Sequence, residues 1–153
     1  MKKVFLIVGI IAAMYAVHLQ QGFCENASVV SVEGSVDVST TGVQWAKATA
    51  GMLLGEGAII KTGPDSKAVI RLEGGEEGAD VELKPNSNLT LSELFKGKDA
   101  ADPESHKTLL DLSVGEVLIK AKKLQSEKSK FEVKTPTSIV GVRGTTFSVT
   151  VES

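Results

Sequence analysis

The sequence predicts an all-β fold: a single compact domain of short, mainly antiparallel strands forming a twisted β-sandwich or β-roll, jelly-roll-like in character. Three observations predict it. Apolar and polar residues alternate with period two over most of the chain after Ala27. Glycine and proline punctuate the runs at short intervals, and no long stretch carries the 3.6-residue period of a helix. Successive strand residues point to opposite faces, so such alternation describes strands with one face buried.

The runs come in order. Val30, Val32, Val36 and Val38 share one face, with Ser31, Ser35 and Asp37 opposite. The stretch 43–54, with Trp45, Ala46, Ala48 and Leu53, fits a helical turn, a loop or a strand, and Gly51 weighs against the helix. Ala68, Ile70 and Leu72 alternate with Lys67, Arg71 and Glu73, and Val81 and Leu83 with Glu82 and Lys84. Leu89 and Leu91 alternate with Thr90 and Ser92, and Val117, Ile119 and Ala121 with Glu116 and Lys120. Thr145, Phe147, Val149 and Val151 close the pattern. Gly63-Pro64-Asp65-Ser66 and Lys84-Pro85-Asn86-Ser87 set proline where its fixed φ starts a turn. Two segments leave the pattern: the polar stretch 96–107, expected as a loop, and the charged stretch 122–130, expected to tip a hairpin between Ile119 and Phe131.

Before these runs stands a leader. Lys2 and Lys3 precede an apolar run over residues 4–17, and Gly22-Phe23-Cys24 supplies a small-x-small exit. This describes a signal peptide over 1–24, removed after Cys24, and leaves a domain over 25–153. The run is short for a transmembrane helix, and the bulky Phe23 argues against lipid attachment at Cys24. A periplasmic or secreted location is expected, with membrane contact only through an uncleaved leader.

Composition excludes more chemistry than it supplies. The chain carries 17 basic and 19 acidic residues, a net charge of −2. Without the leader, 15 bases face the same 19 acids, a net −4 and no cysteine. A nucleic-acid partner lacks the positive charge it needs, and a disulfide framework lacks its thiols. No nucleophile elbow, phosphate loop, zincin motif or dinucleotide fingerprint occurs, so the sequence predicts no enzyme and no cofactor. His106, in the polar stretch, is read as a solvated loop residue.

Four features hold some chemistry. Glu73, Glu76, Glu77 and Asp80 on a glycine-rich stretch are weak candidates for Ca²⁺, but their spacing matches no EF-hand loop and a solvated hairpin tip is preferred. Lys120, Lys122, Lys123, Lys128 and Lys130 offer a face to an anionic polymer, although Glu127 interrupts them and solvent is preferred. Trp45 is expected as a core anchor. Ile139-Val140-Gly141-Val142 is apolar on both faces and reads as a fully buried crossing; Arg143 behind it is expected to be braced by a carboxylate or carbonyls. Gly141 and Gly144 allow close approach or positive φ on either side of it.

These last residues resemble the FecR domain. Its Thr-Pro-x-x-x-x-Gly-Val-Arg-Gly-Thr-x-Phe stretch is matched by Thr135, Pro136, Gly141, Val142, Arg143, Gly144, Thr145 and Phe147. Earlier matches run through Gly34, Trp45, Gly51, Leu54, Gly57, Ile60, Thr62 and Leu83-x-Pro85-x-Ser87, so the resemblance spans 29–151. It implies a periplasmic all-β module. The family's namesakes are regulators that relay a signal from an outer-membrane transporter to a sigma factor held by an N-terminal cytoplasmic segment. Only three residues precede the apolar run here, so the expectation is a stand-alone exported domain without an anti-sigma segment.

Two functions follow as expectations. The first is a non-catalytic interaction module of the bacterial envelope, with an envelope protein or polymer as partner. It would act by strand addition at an edge formed by 29–38 or 145–151. The second is a Ca²⁺-binding or hydrolytic envelope protein using the acidic loop 73–80.

Overall fold

The computed structural model describes residues 27–73, 78–96, 105–124 and 127–152. Twelve strands carry them: β1 (Ala27–Glu33), β2 (Val36–Ser39), β3 (Ala46–Lys47), β4 (Leu53–Leu54), β5 (Ile59–Thr62), β6 (Lys67–Leu72), β7 (Ala79–Leu83), β8 (Asn88–Lys96), β9 (His106–Ala121), β10 (Lys130–Lys134), β11 (Ile139–Val142) and β12 (Thr146–Val151). The segment 1–24, expected as a leader, and the middle of the polar stretch 96–107 lie outside the described residues. Stretch 43–54 contributes the two short strands β3 and β4.

The strands form one sheet that passes twice around a shared interior. One half runs β3-β2-β5-β8-β9-β10-β11; the other runs β4-β1-β6-β7-β9-β12. The long β9 belongs to both. Its first part lies between β8 and β10, and its second between β7 and β12. A straight strand of this length would reach about 50 Å. Yet Val142 sits level with Thr108 through Phe131, Thr146 faces Lys120, and only residues 143–145 join them. Four peptide steps cover at most about 14 Å. The two ends of β9 must therefore curl toward each other, and the sheet closes over its apolar face.

The curl has a chemical cause at two corners. β1 gives way to β2 at Gly34 (φ 76°), and β9 changes halves at Gly115 (φ 96°). A Cβ at Gly34 would strike Ser66 Oγ, and one at Gly115 would strike Ser87 Oγ and Cα. Each serine ends a proline turn whose preceding residue, Asp65 or Asn86, holds a positive φ. Ser66 Oγ accepts the Ser35 N–H at 2.9 Å, and Ser87 Oγ accepts the Glu116 N–H at 3.0 Å. In return Gly63 N–H donates to Ser35 O, and Lys84 N–H to Glu116 O, both at 2.9 Å. The pairings match as well: β1 with β6 and β2 with β5 correspond to β9 with β8 and β9 with β7. An internal pseudo-two-fold thus relates two glycine–serine corners, each of which carries a strand from one half to the other.

The interior is a single apolar cluster. Ile60, Leu89, Leu91, Leu110 and Leu112 from one half meet Ile70, Val81, Leu83, Val117 and Ile119 from the other, all fully buried. Each such side chain contributes about 1.5–3 kcal/mol by leaving water. The alternation read along the chain places most of these residues on the correct face.

Three expectations are corrected here. Val30 is exposed and Val29 buried, because a bulge between Val29 and Ser31 inserts Val30 as an extra residue and changes the face. Stretch 122–130 tips no hairpin: β10 runs parallel to the beginning of β9, Lys130 facing Lys107, so the stretch is a crossover that the curl of β9 makes short. His106 opens β9 and is buried, with its N–H donating to Ser129 Oγ at 3.0 Å.

Candidate functional site

The C-terminal motif lies on the β10–β11 hairpin and the return to β12. Thr135 and Pro136 make the hairpin loop. Thr135 N–H donates to Ser138 O at 2.8 Å, and Ser138 N–H donates back to the buried Thr135 Oγ1 at 3.0 Å. Proline at the next position supplies the fixed φ the turn needs. Val142 is the anchor of β11, 5% exposed. Gly144 (φ 92°) is pressed against the Lys122 and Lys123 backbone, where a Cβ would overlap Lys123 Cα. Gly141 has open space around it and no positive φ, so the freedom expected there is used at Gly144 alone. Thr145 accepts the Ala121 N–H at 3.1 Å, and Phe147 packs half-buried on the core. Most of the motif is thus a device for turning the chain from β11 back to the far end of β9.

What the motif leaves outside is an edge. β11 pairs with β10 and with no other described strand. Ile139 is 63% exposed and Val140 36%, so the expected buried crossing is a terminal strand. Its apolar outer residues have no layer above them. β12 pairs with β9 alone among the described strands, and it alternates exposed Thr146, Ser148 and Thr150 with Phe147, Val149 and Val151. The second expected edge, 29–38, is covered only in part: Val29 bonds Gly51 and Met52, and β3 pairs Asp37 and Val38, while residues 31–33 pair with β6 alone among the described strands.

Arg143 is exposed, and no hydrogen bond or ion pair holds it among the described residues; the expected bracing is absent. It lines a cleft of about 320 Å³ with Leu124, Ser129, Lys130, Phe131, Glu132, Gly141 and Val142. Trp45 is also misplaced by the sequence reading. It is 39% exposed ahead of the two-residue edge strand β3, with Lys61 Nζ 4.2 Å from its ring centroid. A cation over the indole face takes the place of a core contact.

The acidic stretch gives no metal centre among the described residues, where no group of three or more ligand side chains converges. Asp80 is held by Arg71, Nε to Oδ1 at 2.8 Å and a terminal nitrogen to Oδ2 at 3.2 Å. Glu73 lines a cleft of about 570 Å³ with Arg71, Asp80, Lys120 and Lys122. Glu76 and Glu77 lie outside the described residues.

A family model described as FecR protein matches residues 58–153. The chain belongs to the FecR family. The match begins at Ala58 and takes in β5 to β12, including the whole C-terminal motif. FecR domains form a regulatory, sensor-related family rather than an enzyme family. No curated protein and no solved structure matches the chain. The two glycine–serine corners went unread in the sequence. Their signal was there, in Pro-Asp-Ser and Pro-Asn-Ser at 64–66 and 85–87, whose serines stand 32 and 28 residues from a lone glycine in an alternating run.

Proposed function

We propose that this chain is an exported, non-catalytic interaction module of the cell envelope, which holds an extended partner segment by strand addition along β11. The observation that carries the reading is the outer edge of β11, unpaired among the described strands and flanked by exposed Ile139 and Val140. Natural edges are shielded by charge, proline or a covering element, and β11 itself contains none of these. An extended segment laid there gains main-chain hydrogen bonds, while alternate side chains set selectivity. Membership of a sensor-related family fits a module that is read by binding, and the leader over 1–24 supports export.

The test uses the full chain in its native envelope with a photoreactive residue at Val140, and a control at Thr40 on an exposed loop. The expected result is one discrete adduct from position 140, absent from position 40 and lost when Ile139→Lys places a charge on the edge. Equal labelling from both positions, or an adduct indifferent to Ile139→Lys, rejects the reading.

A further inference from the structure

Six cations on the sheet surface are matched with acids. Lys47 meets Asp37, Lys67 meets Glu33, Arg71 meets Asp80, Lys84 meets Glu82, Lys107 meets Glu93 and Lys134 meets Asp111, all within 3.5 Å. Lys61 sits over the Trp45 ring instead, and Lys120, Lys122 and Lys123 carry no ion pair among the described residues, but at one place unpaired cations also face one another. Lys130 on β10 faces Lys107 on β9. On its other side, the β10–β11 register (Phe131 with Val142, Glu132 with Gly141) carried one step further sets Lys130 opposite Arg143. Three exposed cations therefore follow one another from β9 through β10 to the residue that leaves β11. Lys107 has Glu93, whereas Lys130 and Arg143 have no ion-pair partner among the described residues.

Like charges directly opposite one another across strands are destabilising. Here Gly144 aggravates the crowding by bringing the Lys122 and Lys123 backbone against the residue next to Arg143. Glu132 is the one carboxylate lining the same cleft; the Lys107 pKa is raised chiefly by its hydrogen bond to Glu93, with Glu132 adding a smaller charge effect. Phe131, Val142 and Leu124 add apolar residues to the lining of the cleft. The row ends where the free edge of β11 ends, since Arg143 directly follows Val142.

We infer that the segment added to β11 is an acidic peptide, whose carboxylate is bound by Arg143 and Lys130 while its apolar residues lie beside Ile139 and Val140. This rests on the strand-addition reading and adds the chemistry of the partner. The guanidinium offers a planar fork of donors to a carboxylate, and Lys130 adds a point charge from the neighbouring strand. A site of this composition also takes phosphate, but its continuity with an open strand edge favours a polypeptide.

The test uses the full chain and short synthetic Val-Thr peptides, blocked at both termini, that carry a Glu pair or a Lys pair at one end or the other. Binding is followed by amide chemical shifts and calorimetry. The Glu peptides are expected to bind with shifts confined to β11, residues 143–144 and Lys130. Arg143→Gln should weaken them about fivefold, and added salt should weaken them further. The orientation that binds better distinguishes parallel from antiparallel addition. Equal binding of Glu and Lys peptides, both lost in Ile139→Lys, leaves strand addition standing and overturns the acidic partner. Binding of neither peptide at millimolar concentration overturns both. Displacement by inorganic phosphate but not by acetate at equal ionic strength reassigns the cations to a phosphate ligand and overturns the peptide.

Discussion

Gly141 and Gly144 look alike in the sequence, three residues apart around the same arginine, and the fold treats them differently. A Cβ on Gly141 would meet nothing within 4 Å, whereas Gly144 combines a φ of 92° with direct contact to the Lys123 backbone. Gly144→Ala should therefore cost about 1–3 kcal/mol of unfolding free energy from backbone strain alone, with more from overlap. Gly141→Ala should stay within about 0.5 kcal/mol. Urea unfolding of the two variants checks this, and equal losses would remove the distinction. Arg143 teaches the same lesson in charge. An arginine between glycines in an apolar run reads as buried and braced, yet its placement at a strand exit puts it in solvent. Trp45 follows suit, because which face of a short edge strand is covered depends on a layer that the local sequence does not encode.

At the scale of the element, β9 decides the architecture. Its alternation is plain in the sequence, but its single glycine at the middle reads as mere punctuation. The structure makes Gly115 the corner where the strand leaves one half of the sheet for the other, with Ser87 occupying the space a side chain would need. Gly115→Ala should likewise cost about 2–4 kcal/mol, since it combines positive φ with displacement of a serine that satisfies the Glu116 N–H. Thermal unfolding of Gly115→Ala beside Gly57→Ala, where φ is positive but the space is open, separates sterics from φ. Matching midpoints would mean that the serine contact carries nothing. β11 is the opposite case: its composition was read as burial on both faces, and pairing on one side only made it an edge.

For the molecule as a whole, the surface ion pairs set a modest pH dependence. Lys84 Nζ lies 2.6 Å from Glu82 Oε1, and this hydrogen bond holds the Glu82 carboxyl below the usual carboxylate range despite some burial. Because the folded value is the lower one, the stabilisation is complete above the ordinary carboxylate pKa of about 4.3. It is lost as pH falls through that value toward the folded one. Glu82→Gln should thus lower stability at neutral pH by less than about 1 kcal/mol, the pair being partly solvated. The gap to the unmodified chain should close as pH falls below the ordinary carboxylate range, and shrink in high salt. A constant gap across the acid limb, followed by denaturant titration at several pH values, would show that Lys84 does not stabilise the carboxylate.

Period-two alternation, by itself, determined the β class, most of the inward residues and both proline turns, because face selection along a strand is a local property of the backbone. The motif that marks the family was equally legible, since its threonine, proline and second glycine answer to local turn geometry. What only the tertiary structure decided was which strands end the sheet and where the curl brings distant residues together. The parallel return of β10, the exposure of β11 and the row Lys107, Lys130 and Arg143 all depend on β9 bending back on itself. That bend arises from contact between Gly115 and Ser87, 28 residues apart, a separation at which no pattern of neighbours reports on geometry.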